Sequence, residues 1–391
     1  MHPRVTSRHP ATLEQRLNAS SHAPRPDVMT QSNIGNRSFA QATDVGSRSP
    51  RTVATWLLAC CALVLAMIVV GGVTRLTHSG LSIVEWQPIV GTLPPLNEAQ
   101  WLETFEKYRQ TPEGRLVNHA MSLQDFKGIF WWEYFHRLLG RLIGVVFLLP
   151  LLWFAVTRRV SPGLGLKLAG IFLLGGLQGA MGWYMVKSGL VDDPRVSQFR
   201  LTAHLSIAFL ILGAMLWVAL DLLYPRRLQG GGAALRGARR LSWWVSGAVV
   251  WMVLTGGLVA GIRAGKAYNT FPLMNGHWIP PEILMIEPWW RNFFWNMATV
   301  QFDHRLGAWL LAFLVPLLWL RVRRAGAGDR ATISVHLLLA MVALRVTLGI
   351  ATLLTAVPVA LGATHQGVAA LVFMATLAVN HSLRAAGGRT A

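Results

Sequence analysis

Eight apolar runs, each long enough to cross a bilayer, constrain what this chain can fold into more than any other feature. They cover approximately 53–73, 134–156, 166–186, 201–223, 242–262, 299–320, 332–356 and 360–382. A membrane helix needs about 20 apolar residues. Barrel strands would be shorter and would alternate in polarity, so all eight runs read as helices. The composition agrees, with 53% hydrophobic and only 14% charged residues, where soluble domains carry roughly 25% charged residues. An all-α membrane protein is predicted. A disordered chain, a coiled coil and an ordinary soluble enzyme are excluded. The formal net charge of +19 would suggest nucleic-acid binding in a soluble domain. Here the basic residues sit in short clusters between apolar runs, and no nucleic-acid partner is expected.

Those clusters orient the chain. Arg158, Arg159 and Lys167 follow the second run, and Arg226, Arg227, Arg236, Arg239 and Arg240 follow the fourth. Arg321, Arg323, Arg324 and Arg330 follow the sixth. The positive-inside rule puts these loops and both termini in the cytoplasm, or in the matrix of a mitochondrion. The long loops 74–132 and 263–298 then lie outside. Their Trp86, Trp101, Trp131, Trp132, Trp278, Trp289 and Trp290 read as an interfacial aromatic belt. A bacterial inner membrane is the expected location, with the mitochondrial inner membrane as the alternative. Residues 1–51 are rich in Arg, Ser, Thr and Pro, lack an apolar core and read as a disordered basic tail.

The chain repeats itself. Gly71 and Gly72 near the end of run 1 resemble Gly256 and Gly257 near the end of run 5. Glu133, Tyr134, Phe135, His136, Arg137 at the start of run 2 resemble Gln301, Phe302, Asp303, His304, Arg305 at the start of run 6. His204 opens run 4 as His365 opens run 8. Two tandem, pseudo-symmetric four-helix bundles are expected, related as a parallel repeat. Their limits are 52–224 and 242–383, with a cytoplasmic linker at 225–241 and a short tail at 384–391.

Four of the twelve histidines recur at matching depth: His136, His204, His304 and His365. An intramembrane ionisable residue points to function, and a duplicated set does so more strongly. Zinc normally takes three or four protein ligands, and no third His, Cys or carboxylate repeats with these. Copper would want a thiolate or Met partner. Haem iron needs only two axial ligands, and a four-helix interior accommodates the macrocycle. Two bis-His haem sites follow. Cys60 and Cys61 are adjacent within a span, and no CxxCH exists, so covalent haem attachment is excluded. Arg75, Arg137, Arg263 and Arg305 are candidate propionate partners. The halves differ at one position: Glu133, three residues before His136 and on the same helix face, is matched by Gln301. Chemistry is therefore expected in the first half and electron carriage in the second.

The motifs around these residues resemble the haem A synthase family. Besides the Glu133–Arg137 run they include Gly72, Val73, Thr74, Arg75, Leu76, Thr77 with Ser79, Gly80, Leu81, Ser82, then Trp86, Gln87, Pro88. Phe271, Pro272, Leu273, Met274, Asn275, Gly276 with Trp278, Ile279, Pro280 complete the set. The likeness runs from about residue 55 to 382. It implies an oxidoreductase that converts the C8 methyl of haem O to a formyl group by successive hydroxylations, giving haem A for cytochrome oxidase. By the same resemblance His136 and His204 hold the substrate haem, His304 and His365 hold a resident haem b, and Glu133 is the catalytic carboxylate. Some members carry a cysteine pair in the first outer loop. This chain has none there, so it resembles the proteobacterial and mitochondrial subgroup. The partners implied are haem O synthase, an electron donor (ferredoxin-like or a quinol), the lipid membrane and a second copy of the chain. Two other readings stay open: a bis-His dihaem b electron-transfer protein, which does not need the Glu133/Gln301 difference, and a parallel-repeat transporter, which needs no haem.

Overall fold

The eight apolar runs are helices in the computed structural model, which describes residues 36–86, 90–191, 193–225 and 232–384, with side chains from residue 50. The chain divides into Met1–Val45 and Gly46–Ala391, and only residues 36–45 of the first part are described, as helix. The membrane-spanning helices are α1 (Asn36–Leu76, apolar from Pro50), α4 (Leu123–Val156), α5 (Pro162–Lys187), α6 (Gln198–Leu223), α7 (Ala233–Gly261), α9 (Met297–Arg324), α10 (Asp329–Leu354) and α11 (Val359–Ser382). Short helices α2 (Glu98–Arg109) and α3 (Pro112–Leu116) lie between α1 and α4. Helix α8 (Asn292–Trp295) precedes α9. The protein is an all-α, multi-pass integral membrane protein, and no strand longer than one isolated bridge is found among the described residues.

Several boundaries differ from the sequence reading, for local reasons. Helix α4 begins well before its apolar run because Ser122 and Asp125 form a capping box. Helix α1 begins at Asn36, so residues 36–51 of the expected disordered tail are helical; extending a nucleated helix costs little. Helix α7 starts at Ala233, inside the expected linker 225–241. Residues 1–35, the 385–391 tail and the linker arginines Arg226 and Arg227 lie outside the described residues. The α10–α11 turn is tight, with Ala356 and Val357 both at positive φ (58° and 64°) before Pro358 caps α11.

Buried apolar residues form two large clusters. One gathers Leu57 and Val64 of α1, Phe147 and Phe154 of α4, Leu168 of α5, and Leu212 and Met215 of α6. The other gathers Val245 of α7, Val315 and Leu318 of α9, Leu338 of α10, and Val372 and Val379 of α11. A third, smaller core lies over the start of α4 and contains Trp101, Tyr108, Phe126, Phe130 and Tyr134. Trp101 thus belongs to a core and not to the aromatic belt, because α2 folds back on α4 and Phe130 meets its ring edge-on at 4.9 Å. Trp86, Trp132, Trp278, Trp289 and Trp290 are exposed, as a belt requires.

Candidate functional site

The two large cores stop short of the same end of every spanning helix. In α1 they end at Ile68, before Gly71. In α4 they begin at Phe147, after His136. In α9 they begin at Leu311, after His304, and in α11 at Val368, after His365. The end bearing the four histidines is therefore the part not filled by apolar side chains.

Each histidine ring lies on a glycine of the preceding helix. A Cβ placed on Gly71 would fall 3.0 Å from His136 Cε1, and one on Gly182 3.0 Å from His204 Cε1. On Gly256 it would fall 3.3 Å from His304 Cε1, and on Gly349 2.9 Å from His365 Cε1. Only glycine lets the rings sit so close to these helix backbones. The next glycine of α1 and of α7 meets the opposite half instead: Gly72 abuts Gln366 and Gly257 abuts Thr202. Gln366 also donates to the Ile68 carbonyl at 2.8 Å. His136 lies within electrostatic reach of His204, and His304 of His365, so the expected pairs are brought together.

The donor set fits haem. Each pair offers two imidazoles, and no group of three or more His, Cys, Asp or Glu side chains able to hold a bare metal exists among the described residues. A metal arriving with its own equatorial ligands suits such a site. The Nδ1 atoms of His136, His204 and His365 are buried without hydrogen-bond partners. His304 is held more firmly. The Thr255 hydroxyl donates to the Trp251 carbonyl at 3.0 Å and so accepts from His304 Nδ1, also at 3.0 Å. That tautomer leaves Nε2 with its lone pair free for iron.

The Glu133 position is repeated as a clamp. Glu133 is buried, and its Oε1 accepts from Arg137 Nε at 3.1 Å and Nη2 at 2.6 Å. Its Oε2 accepts from Ser82 Oγ at 2.7 Å and the Ile83 amide at 2.8 Å. Arg137 goes on to donate to the carbonyls of Ile83 and Glu85. In the other half, buried Gln301 accepts from Arg305 at 3.0 Å and donates to the Ala264 carbonyl at 2.7 Å, while Arg305 donates to the carbonyls of Tyr268 and Leu273. Both arginines thus tie a loop to the helix that carries a histidine. Asn296, whose side chain caps α9, and the Ser122 box of α4 set the start of those helices.

Of the four arginines expected at propionates, Arg137 and Arg305 are engaged by these loop carbonyls. Arg75 and Arg263 are differently placed. Arg75 reaches the Ala260 carbonyl at 3.4 Å and keeps a buried Nε without a partner, and Arg263 donates to His78 Nδ1 at 3.1 Å. Burial and the cations Arg263, Lys266 and Arg75 hold the His78 imidazole below its usual pKa.

The family model for cytochrome oxidase assembly proteins matches residues 54–377. The chain belongs to the cytochrome oxidase assembly protein family. Relatives in this family are named haem A synthase. The protein of Nitrosospira multiformis is 62% identical over 351 residues, covering 90% of this chain and 99% of the relative. That of Nitrosomonas eutropha is 53% identical over 354 residues, with the same coverage. That of Paramagnetospirillum magneticum is 50% identical over 338 residues, 85% of this chain and 93% of the relative. Within this assembly-protein fold the sequence reading missed Gly182, Gly349, Gln178, Thr255 and Arg345. The two glycines carried a signal, since each sits in a helix directly preceding a histidine-bearing one. Thr255 carried none, because its role depends on which rotamer meets His304.

Proposed function

We propose that the protein is a haem A synthase, an oxidoreductase that turns the C8 methyl of haem O into a formyl group by successive hydroxylations. The eight spans work as two tandem four-helix units. The repeated histidine–glycine seats support that division. His136 and His204 hold the substrate haem, and His304 and His365 hold haem b. When bound, haem b supplies one-electron transfer. The observation that carries the reading is the difference between Glu133 and Gln301 in otherwise repeated seats.

The chain's own residues have definable tasks. The glycine backbones fix the ring positions, and Thr255 fixes the tautomer of His304. Glu133 holds a negative charge one helical turn from His136. Both its oxygens already accept two donors each, which fixes the carboxylate in place. Its role is that of a fixed charge, preorganised toward positive charge developing at the methyl carbon. Arg75 and Arg263 are the cations left for propionates. The arginine clusters favour an inner-membrane topology with cytoplasmic termini. Cysteines introduced at 100 and 280 then label from outside, and one at 240 does not.

Expression in a strain lacking its own haem A synthase, followed by haem extraction, tests the activity. Haem A in the extract is expected. Haem b alone at two per chain would indicate a dihaem electron carrier, and no haem a transporter. His304→Ala and His365→Ala should lose the low-spin haem b spectrum. His136→Ala and His204→Ala should keep it and lose haem A. The reverse pattern would exchange the two units.

A further inference from the structure

Helices α5 and α10 repeat a second position. Four residues before each histidine-seating glycine, one turn away on the same face, stand Gln178 before Gly182 and Arg345 before Gly349. Gln178 Nε2 lies 3.3 Å from His204 Nε2. Arg345 donates its Nη1 to the carbonyl of His365. The same helix position is thus filled by a neutral amide at the histidine ring in one half and by a guanidinium at the histidine backbone in the other.

Among the described residues Arg345 has no ion-pair partner. It is the only Asp, Glu, Lys or Arg between Arg330 and Arg384, and no acidic residue follows Asp329 anywhere in the chain. Helix α7 contains no carboxylate, and α9 contributes only Asp303, with which Arg345 makes no ion pair among the described residues. Asp329 opens α10 at the end opposite the histidines. An unpaired cation inside a span is expensive and marks function.

We propose that Arg345 is a positioning residue whose fixed charge raises the reduction potential of the haem held by His304 and His365. This rests on the reading of that pair as a haem site. Reducing a ferric haem adds one electron, and a cation beside it in a poorly polarisable interior favours the reduced state. Gln178 exerts no such pull on the other pair.

The test is a redox titration of the low-spin haem in purified holoprotein carrying Arg345→Gln, Arg345→Met or Arg345→Lys. The neutral variants should shift the one-electron equilibrium toward the oxidised form by about tenfold, a fall of about 59 mV in midpoint. Arg345→Lys should stay close to wild type. An unchanged midpoint in a neutral variant that retains its haem overturns the inference and leaves the haem-site reading standing. Loss of the haem from both neutral variants, with retention in Arg345→Lys, also overturns it, because Arg345 would then serve retention and not potential. A wild-type protein with no haem at this pair overturns both.

Discussion

Glu133 and Gln301 hold the same arginine clamp in the two halves of the chain, each accepting from the arginine four residues later, and only Glu133 carries a charge. The amide in the second half shows that the clamp does not itself require a carboxylate. The carboxylate of the first half is therefore available for a task beyond anchoring a loop.

Glu133→Gln should lower haem A formation by about a hundredfold or more, as removal of a charge-stabilising group of about 3 kcal/mol does. The substitution is less conservative than its volume suggests. An amide nitrogen facing the Ile83 N–H would leave a buried donor unpaired, at about 1–3 kcal/mol. The measurement is chromatography of extracted haems, together with the haem b spectrum as a check on folding. Near-normal haem A from a well-expressed variant would reduce Glu133 to a loop anchor.

The glycine seats predict a sharp positional contrast. Gly349→Ala puts a methyl 2.9 Å from His365 Cε1, and Gly182→Ala puts one 3.0 Å from His204 Cε1. The first should broaden or abolish the low-spin haem b spectrum, and the second should spare it and impair haem A formation. Gly176→Ala, on the same helix as Gly182 but with nothing within 4 Å, should change neither. A stability gain of up to about 1 kcal/mol is expected there from helix propensity. Optical spectra of the three purified variants decide the point; equal behaviour of all three would remove the seats from the account.

Glu113 makes the outer loop sensitive to pH. It is buried, and its Oε2 has no hydrogen-bond partner. Burial first, and the Glu133 charge second, push its carboxyl up from 4.5 to about 7, with Arg263 opposing. The folded form thus binds this proton more tightly than the unfolded form. The Glu113 contribution to stability is greatest below about 4.5 and is lost as pH rises through the window to about 7. The full shift corresponds to about 3 kcal/mol. Thermal unfolding of detergent-solubilised protein at pH 5 and pH 8 should show lower stability at pH 8. Glu113→Gln should reduce that difference, and an undiminished difference would mean that other groups govern it.

Much of this site was legible in the sequence because membrane folding reads one-dimensional information. Apolar length alone marks a span, and duplication displayed His136 with His304 and His204 with His365 without any knowledge of packing. Glu133 stood out for the same reason, as the odd member of a repeated run. The boundaries were less legible where capping and not hydropathy sets them, as at Ser122. Trp101 was misassigned because an interfacial loop and a small core over a helix end have the same composition.

By itself the sequence determined that the chain crosses the membrane eight times and that two histidines recur in each half, since both depend only on local composition and repetition. Tertiary structure decided which glycines seat the four rings, how Glu133 is held by Ser82, Ile83 and Arg137, and that Arg345 reaches His365. Those relations join residues from different helices across the interior. Their distances depend on how the helices pack, which no single segment encodes.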